Sequence, residues 1–270
     1  MSHAQSDPQA PHSHPFHLVD PSPWPLAGGL SAFVLAWGAI AYFHDRSEKW
    51  GLLAGLAMVL LTMALWWRDV IREGRDGHSH THEVRHGLRM GMALFIASEV
   101  MFFVAFFWAF FHNSLRVSPV VTQWPPAGIE VLNTWHIPFL NTLILMSSGI
   151  TLTKGHHALV ADHKANCARW LALTIALGLI FLSLQIHEYG EAMFAFTDGI
   201  YPSVFYMATG FHGFHVFVGV CFLSVCLART LGGQFTAHHH VGFEAAAWYW
   251  HFVDAVWVFL FVWVYWWGNG

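Results

Sequence analysis

LRMGMALFIASEVMFFVAFFWAFF, residues 88–111, sets the class of this protein. From Met90 to Phe111 a single residue carries an ionisable group, Glu99, near the middle of the run. About 20 mostly apolar residues in a helix cross the hydrocarbon core of a bilayer. The stretch is therefore a transmembrane helix with a carboxyl group near its centre. Such a group is costly in lipid, and it marks a residue with a partner or a task.

The rest of the chain agrees. Of its 270 residues, 56% are apolar and only 10% charged, against about 25% charged in soluble domains. Trp (15) and Phe (24) are abundant. The composition is that of an all-α, polytopic membrane protein. A net charge of -4, with no basic cluster interleaved with aromatics, argues against nucleic acid. Cys167, Cys221 and Cys226 form no CxxC pair, so neither a disulfide framework nor a redox motif is expected. Residues 1–24 form a polar, Pro- and His-rich tail without the basic and apolar regions of a signal peptide.

Seven segments qualify as spans, near 25–43, 50–67, 87–111, 137–153, 170–186, 203–227 and 245–267. The fourth, with Asn141, Thr142 and two serines, is the least apolar. The turn HDRSEK is short enough to make the first two a tight antiparallel pair. Loop charges set orientation, because cytoplasmic loops are rich in Lys and Arg. With the N-terminus inside, Arg68, Arg72, Arg75, Arg85, Arg89, Lys154, Lys164, Arg169 and Arg229 fall on the cytoplasmic side. Only Arg46, Lys49 and Arg116 fall opposite. The expected topology is N-in and C-out. Trp24, Trp50, Trp66, Trp67, Trp124, Trp135, Trp170, Trp266 and Trp267 cluster at span ends, as interfacial aromatics do.

Glu99 reads either as a structural carboxyl held neutral and bonding between helices, or as a lipid-contacting or proton-handling group. His212 and His215, in ATGFHGFHVFVG, share a helix face. They could ligate a metal or haem, but the flanking glycines and threonine favour packing and interhelical hydrogen bonding. His251 and Asp254, in WYWHFVDAVW, have the same spacing and are expected to meet. An Asp in a seventh span suggests retinal proteins, but Lys49, Lys154 and Lys164 all lie away from span centres, so no Schiff base is available. The loop EGRDGHSHTHEVRHG, the run His238–His240 and the pair His156–His157 could bind metal. Surface or structural roles are favoured there, since His-rich loops often bind metal only adventitiously. There is no nucleophile elbow or phosphate-cradling glycine loop.

Taken in order, WWRDVIRE, GLRMGMALFIASEVMFFVAFFWAFFH, WPPAGI, PFLNTLIL with SSG, GHHAL, ATGFHGFHVFVG and HVGFEAAAWYWHFVDAVWVFLFVWVYWWG resemble subunit III of haem–copper cytochrome c oxidase. The likeness runs from Trp24 onward; the N-terminal tail and TLTKGHH depart from it. The resemblance implies two helices and five helices around a lipid-filled cleft, with 25–67 as the first pair, 68–86 as a cytoplasmic loop and 87–270 as the larger bundle. It implies no catalytic residue, no metal and no redox centre in this chain, haem and copper residing in subunits I and II. Bound phospholipids are the expected ligands, and cytochrome c the partner only through the complex. By the same resemblance, Glu99 is a functional carboxyl, and Trp67, Glu73, His80 and Arg229 contact lipid headgroups. The implied role is to stabilise subunit I, sustain its proton uptake and protect it from turnover inactivation.

Two rivals remain at this stage. A stand-alone proton channel or transporter would relay protons through Glu99, Glu188, His212, His215 and Asp254. Transporters usually carry internal repeats, and none is visible. A quinol oxidase subunit III is the closer rival, but two additional N-terminal spans favour the cytochrome c branch. Ala and Gly content suggests a bacterial inner membrane, with the mitochondrial inner membrane as the alternative.

Overall fold

The computed structural model describes residues 21–46, 48–75, 81–115 and 123–269. Among these there are seven α-helices and no strand: α1 Trp24–Phe43, α2 Trp50–Glu73, α3 His82–Ser114, α4 Ile137–Val160, α5 Lys164–Glu191, α6 Ile200–Leu231 and α7 Val241–Leu260. The last continues as a π-helical turn, Phe261–Trp266, and a short 3₁₀ turn, Trp267–Asn269. Each expected span is a helix, and every helix but α1 outruns its apolar window by about a turn or more. A helix satisfies its own backbone, so it need not stop where the hydrocarbon ends.

The stretch 68–86 changes most on this account. Read as a polar loop, it is helical at both ends, since α2 runs on to Glu73 and α3 begins at His82. Its Arg, Asp and Glu residues remove hydropathy, not helix propensity. The first break comes at Gly74.

Six helices are long and apolar enough to cross a membrane, with α4 the exception. Its polar residues explain both facts. Asn141, Ser148 and Thr151 are buried, and they face other helices instead of lipid. Thr151 meets Thr174 of α5 at 2.8 Å, and Ser148 Oγ accepts from Trp250 Nε1 of α7 at 2.9 Å. Thr142 Oγ1 accepts from Trp257 Nε1 at 2.9 Å. Lipid gives helices no hydrophobic reason to associate, so packing and such bonds hold them.

The chain divides into two compact units after Gly87. In the first, α1 and α2 form a hairpin. Trp24 Nε1 donates to Asp69 Oδ2 at 3.0 Å, fastening the open end. Gly38 lies against the backbone of Gly51 and Leu52, and Gly55 against Leu35; a Cβ on Gly38 would fall 2.5 Å from the Gly51 carbonyl carbon. A Cβ on Gly29 would meet nothing within 4 Å. These two sites predict opposite outcomes for one substitution. Gly38→Ala should destabilise the hairpin by about 1–3 kcal/mol through overpacking, despite the better helix propensity of Ala. Gly29→Ala should be neutral or slightly stabilising. Protease resistance of the subunit in membranes measures both. Equal resistance of the two variants would refute the close approach.

In the second unit, α4 packs on α5, α5 on α6, α6 on α7 and α7 on α4, closing a four-helix ring. Its centre holds Phe181, Trp250, Trp257 and Tyr265, all buried. From Leu88 onward α3 joins through long side chains. Phe103 meets Phe252 at 6.0 Å between ring centroids, and Phe107 meets Phe259 at 4.3 Å.

Candidate functional site

The central carboxyl of α3 has a partner. Glu99 Oε2 lies 2.9 Å from Nε2 of His215, on α6. The imidazole stands against Phe103 at 5.0 Å, Phe102 at 5.9 Å and Tyr249 at 6.3 Å between centroids. The histidine is 9% exposed and the glutamate 22%. An aromatic wall thus lies around a polar pair.

The hydrogen count follows from the bonds. His215 Nδ1 is 2.6 Å from the carbonyl oxygen of Phe211, one turn back. A carbonyl only accepts, so Nδ1 carries the hydrogen and donates. Nε2 then faces Glu99 with one proton to share. Either a neutral acid donates to a neutral imidazole, or an imidazolium donates to a carboxylate. Both arrangements are electrically neutral. Losing that proton would set two acceptors face to face, while an isolated charge at mid-membrane costs about 2.5–3.5 kcal/mol. The pair is a neutral clasp between α3 and α6.

His212 is fully buried and does not join the clasp. Its Nε2 donates to the Val253 carbonyl of α7 at 3.2 Å, its ring packs on Trp257, and its Nδ1 is without a partner. Both histidines thus hydrogen-bond to another helix, His212 to α7 and His215 to α3. His251 and Asp254 meet as expected, Nδ1 to Oδ2 at 3.3 Å. They open on a separate groove of about 390 Å³ between α4 and α7, with Thr153 3.4 Å from His251 Nε2. The clasp and this pair are not brought into one relay.

Of the expected lipid contacts, Trp67 is exposed on α2 and Glu73 ends that helix. Arg229, in the last turn of α6, stacks over Phe235 at 4.3 Å and bonds Gln234 Oε1 at 3.4 Å. His80 lies outside the described residues.

Beyond the expected lipid contacts, three features stand out. Arg89 of α3 clasps Glu244 of α7 through two bonds, at 2.7 and 2.9 Å. Glu188 is buried within the ring, and neither of its carboxyl oxygens has a hydrogen-bond partner. His156, His240 and Glu244 gather their ligand atoms within 4.8 Å of one another. Contacts between residues so far apart in sequence leave no signal in spacing.

The helices and their mutually bonded polar groups define a multi-pass membrane protein of the helical-bundle class. The family model for cytochrome c oxidase subunit III matches residues 14–269, and the chain belongs to that family. It is 57% identical to cytochrome c oxidase subunit 3 of Marchantia polymorpha over 258 residues, 95% of this chain and 97% of that protein. Against the same subunit of Branchiostoma lanceolatum the identity is 54% over 259 residues, 95% and 98% of the two chains. Against Cyprinus carpio it is 52% over 261 residues, 96% and 100%. The chain is thus a subunit of the oxidase complex. These relatives come from eukaryotes, which counts against the bacterial membrane expected from composition.

Proposed function

We propose that this chain is a non-redox core subunit that stabilises subunit I, holds structural phospholipid and sustains proton uptake during turnover. Subunits I and II are its partners, haem and copper belong to them, and cytochrome c meets this chain only through the complex. The observation that carries the reading is the Glu99–His215 clasp. It commits the one ionisable group between Met90 and Phe111 to an internal bond between helices, which suits a structural carboxyl better than a station for moving protons. Headgroups are held by Trp67, Glu73, His80 and Arg229. Support comes from an exposed indole on α2 and a guanidinium at the end of α6, where interfacial Trp and Arg residues serve as anchors. The orientation is N-in and C-out, and the membrane is the mitochondrial or bacterial inner membrane.

The test uses the purified complex. Trp67→Ala with Arg229→Met should lower phospholipid per haem, leave initial turnover near normal and shorten the time to inactivation. Unchanged lipid content with an unchanged lifetime would sink the lipid role. Orientation is checked separately by an epitope tag after Gly270. Access from the intermembrane or periplasmic side is expected, and access only from the opposite side would overturn the topology.

A further inference from the structure

The end of α4 and the start of α7 bring together three ligand side chains that the function above does not use. We propose that His156, His240 and Glu244 form a binding site for one divalent transition-metal ion of the zinc class. Each supplies one donor, and the three donor atoms converge within 4.8 Å. The donor set, two imidazoles and a carboxylate, is one that zinc accepts, leaving a fourth position for water.

The bonds around the site prepare its lone pairs. His240 Nδ1 is 3.0 Å from the Thr236 carbonyl oxygen. That nitrogen donates, so in the neutral ring Nε2 presents a lone pair. A backbone carbonyl on the other nitrogen is the usual way a ligand imidazole is oriented. Nε2 lies 3.3 Å from Glu244 Oε1, and two ligands on one tetrahedral zinc stand about 3.3 Å apart at the usual bond lengths. Glu244 is gripped by Arg89 through both oxygens, which fixes its plane. His156 Nε2 is buried with no hydrogen-bond partner, and its ring packs on Phe243 at 5.5 Å and meets the His240 ring at 5.4 Å.

A proton explains the site less well than a cation does. Protonated His240 would satisfy Glu244 but leave His156 Nε2 orphaned beside a positive ring. One metal ion satisfies all three. At Glu99 and His215 the pair is closer, no third donor is present among the described residues and one proton suffices. The last turn of α4 favours a cation through its carbonyl end, while the N-terminus of α7 opposes one and Glu244 offsets it.

The experiment takes the intact oxidase, strips loosely held metal with chelator, adds zinc and desalts. Zinc per haem is then compared among wild type, His156→Gln, His240→Gln and the exposed control His238→Gln. Wild type and control should each hold one zinc more than the two site variants. Equal zinc in all four, or zinc that survives only at millimolar concentration and does not respond to the variants, overturns the proposal. Should either variant fail to assemble, anomalous scattering at the zinc edge from the wild-type complex decides. A peak about 2.0–2.2 Å from the three donors is expected, and a zinc peak elsewhere with none here refutes the site.

Discussion

Replacing Glu99 by alanine is expected to loosen this subunit within the assembled oxidase, whereas replacing it by glutamine is not. Alanine leaves His215 Nε2 facing an apolar wall with nothing to donate to it. An unsatisfied polar group of that kind costs about 1–3 kcal/mol. Glutamine keeps the length and offers an amide N–H to the same nitrogen. The pair is directly testable by a double-mutant cycle. His215→Ala alone should cost about as much as Glu99→Ala, and the two together should cost little more than either, because each removes the same bond. Retention of the subunit against rising detergent is the readout. The Glu99→Ala enzyme should begin near its normal rate and inactivate sooner. Additive losses would show that the two residues act independently. A collapse of initial activity in Glu99→Gln would replace the structural clasp with obligatory proton transfer through the carboxyl.

The second large effect is expected at Trp250. Its indole is fully buried, lies against Gly178 of α5 and Gly219 of α6, and donates to Ser148 of α4. One side chain of α7 thus touches the other three helices of the ring. A Cβ at Gly178 or Gly219 would fall 2.7 Å from the ring. Trp250→Ala should cost about 3–5 kcal/mol and leave too little subunit assembled to isolate. Gly178→Ala should cost about 1–3 kcal/mol by overpacking. The shorter ring of Trp250→Phe should withdraw the clashing atoms and make Gly178→Ala less harmful in that background. Immunoblots of assembled complex measure all four. Equal damage by Gly178→Ala in both backgrounds would contradict the packing described.

The spans were legible because hydropathy responds to lipid whether or not other helices are present. The ring was not. Lipid and a neighbouring helix are equally apolar, so a helix such as α6 is hydrophobic all round and shows no stripe that would name its partner. What sequence does reveal is the exception, a polar residue inside a span. Glu99, His212, His215, His251 and Asp254 were all visible in that way. Local pairs could be joined from spacing, and His251 with Asp254 was. The bond from Glu99 to His215 crosses between α3 and α6, and no spacing predicts it. The same limit hid Arg89 with Glu244 and divided His156 from His240. In the stretch 68–86, which the resemblance implies is a loop, charge lowers hydropathy but nothing breaks a helix before Gly74.

The central claim is that this chain supports an oxidase whose redox chemistry lies in other subunits. Stripping the subunit from the purified complex with detergent, then measuring haem and copper in each fraction, tests it most directly. All haem and all copper should remain with the other subunits, which should still oxidise cytochrome c at first and then fail early in turnover. Stoichiometric haem or copper in the fraction holding this chain would contradict the account.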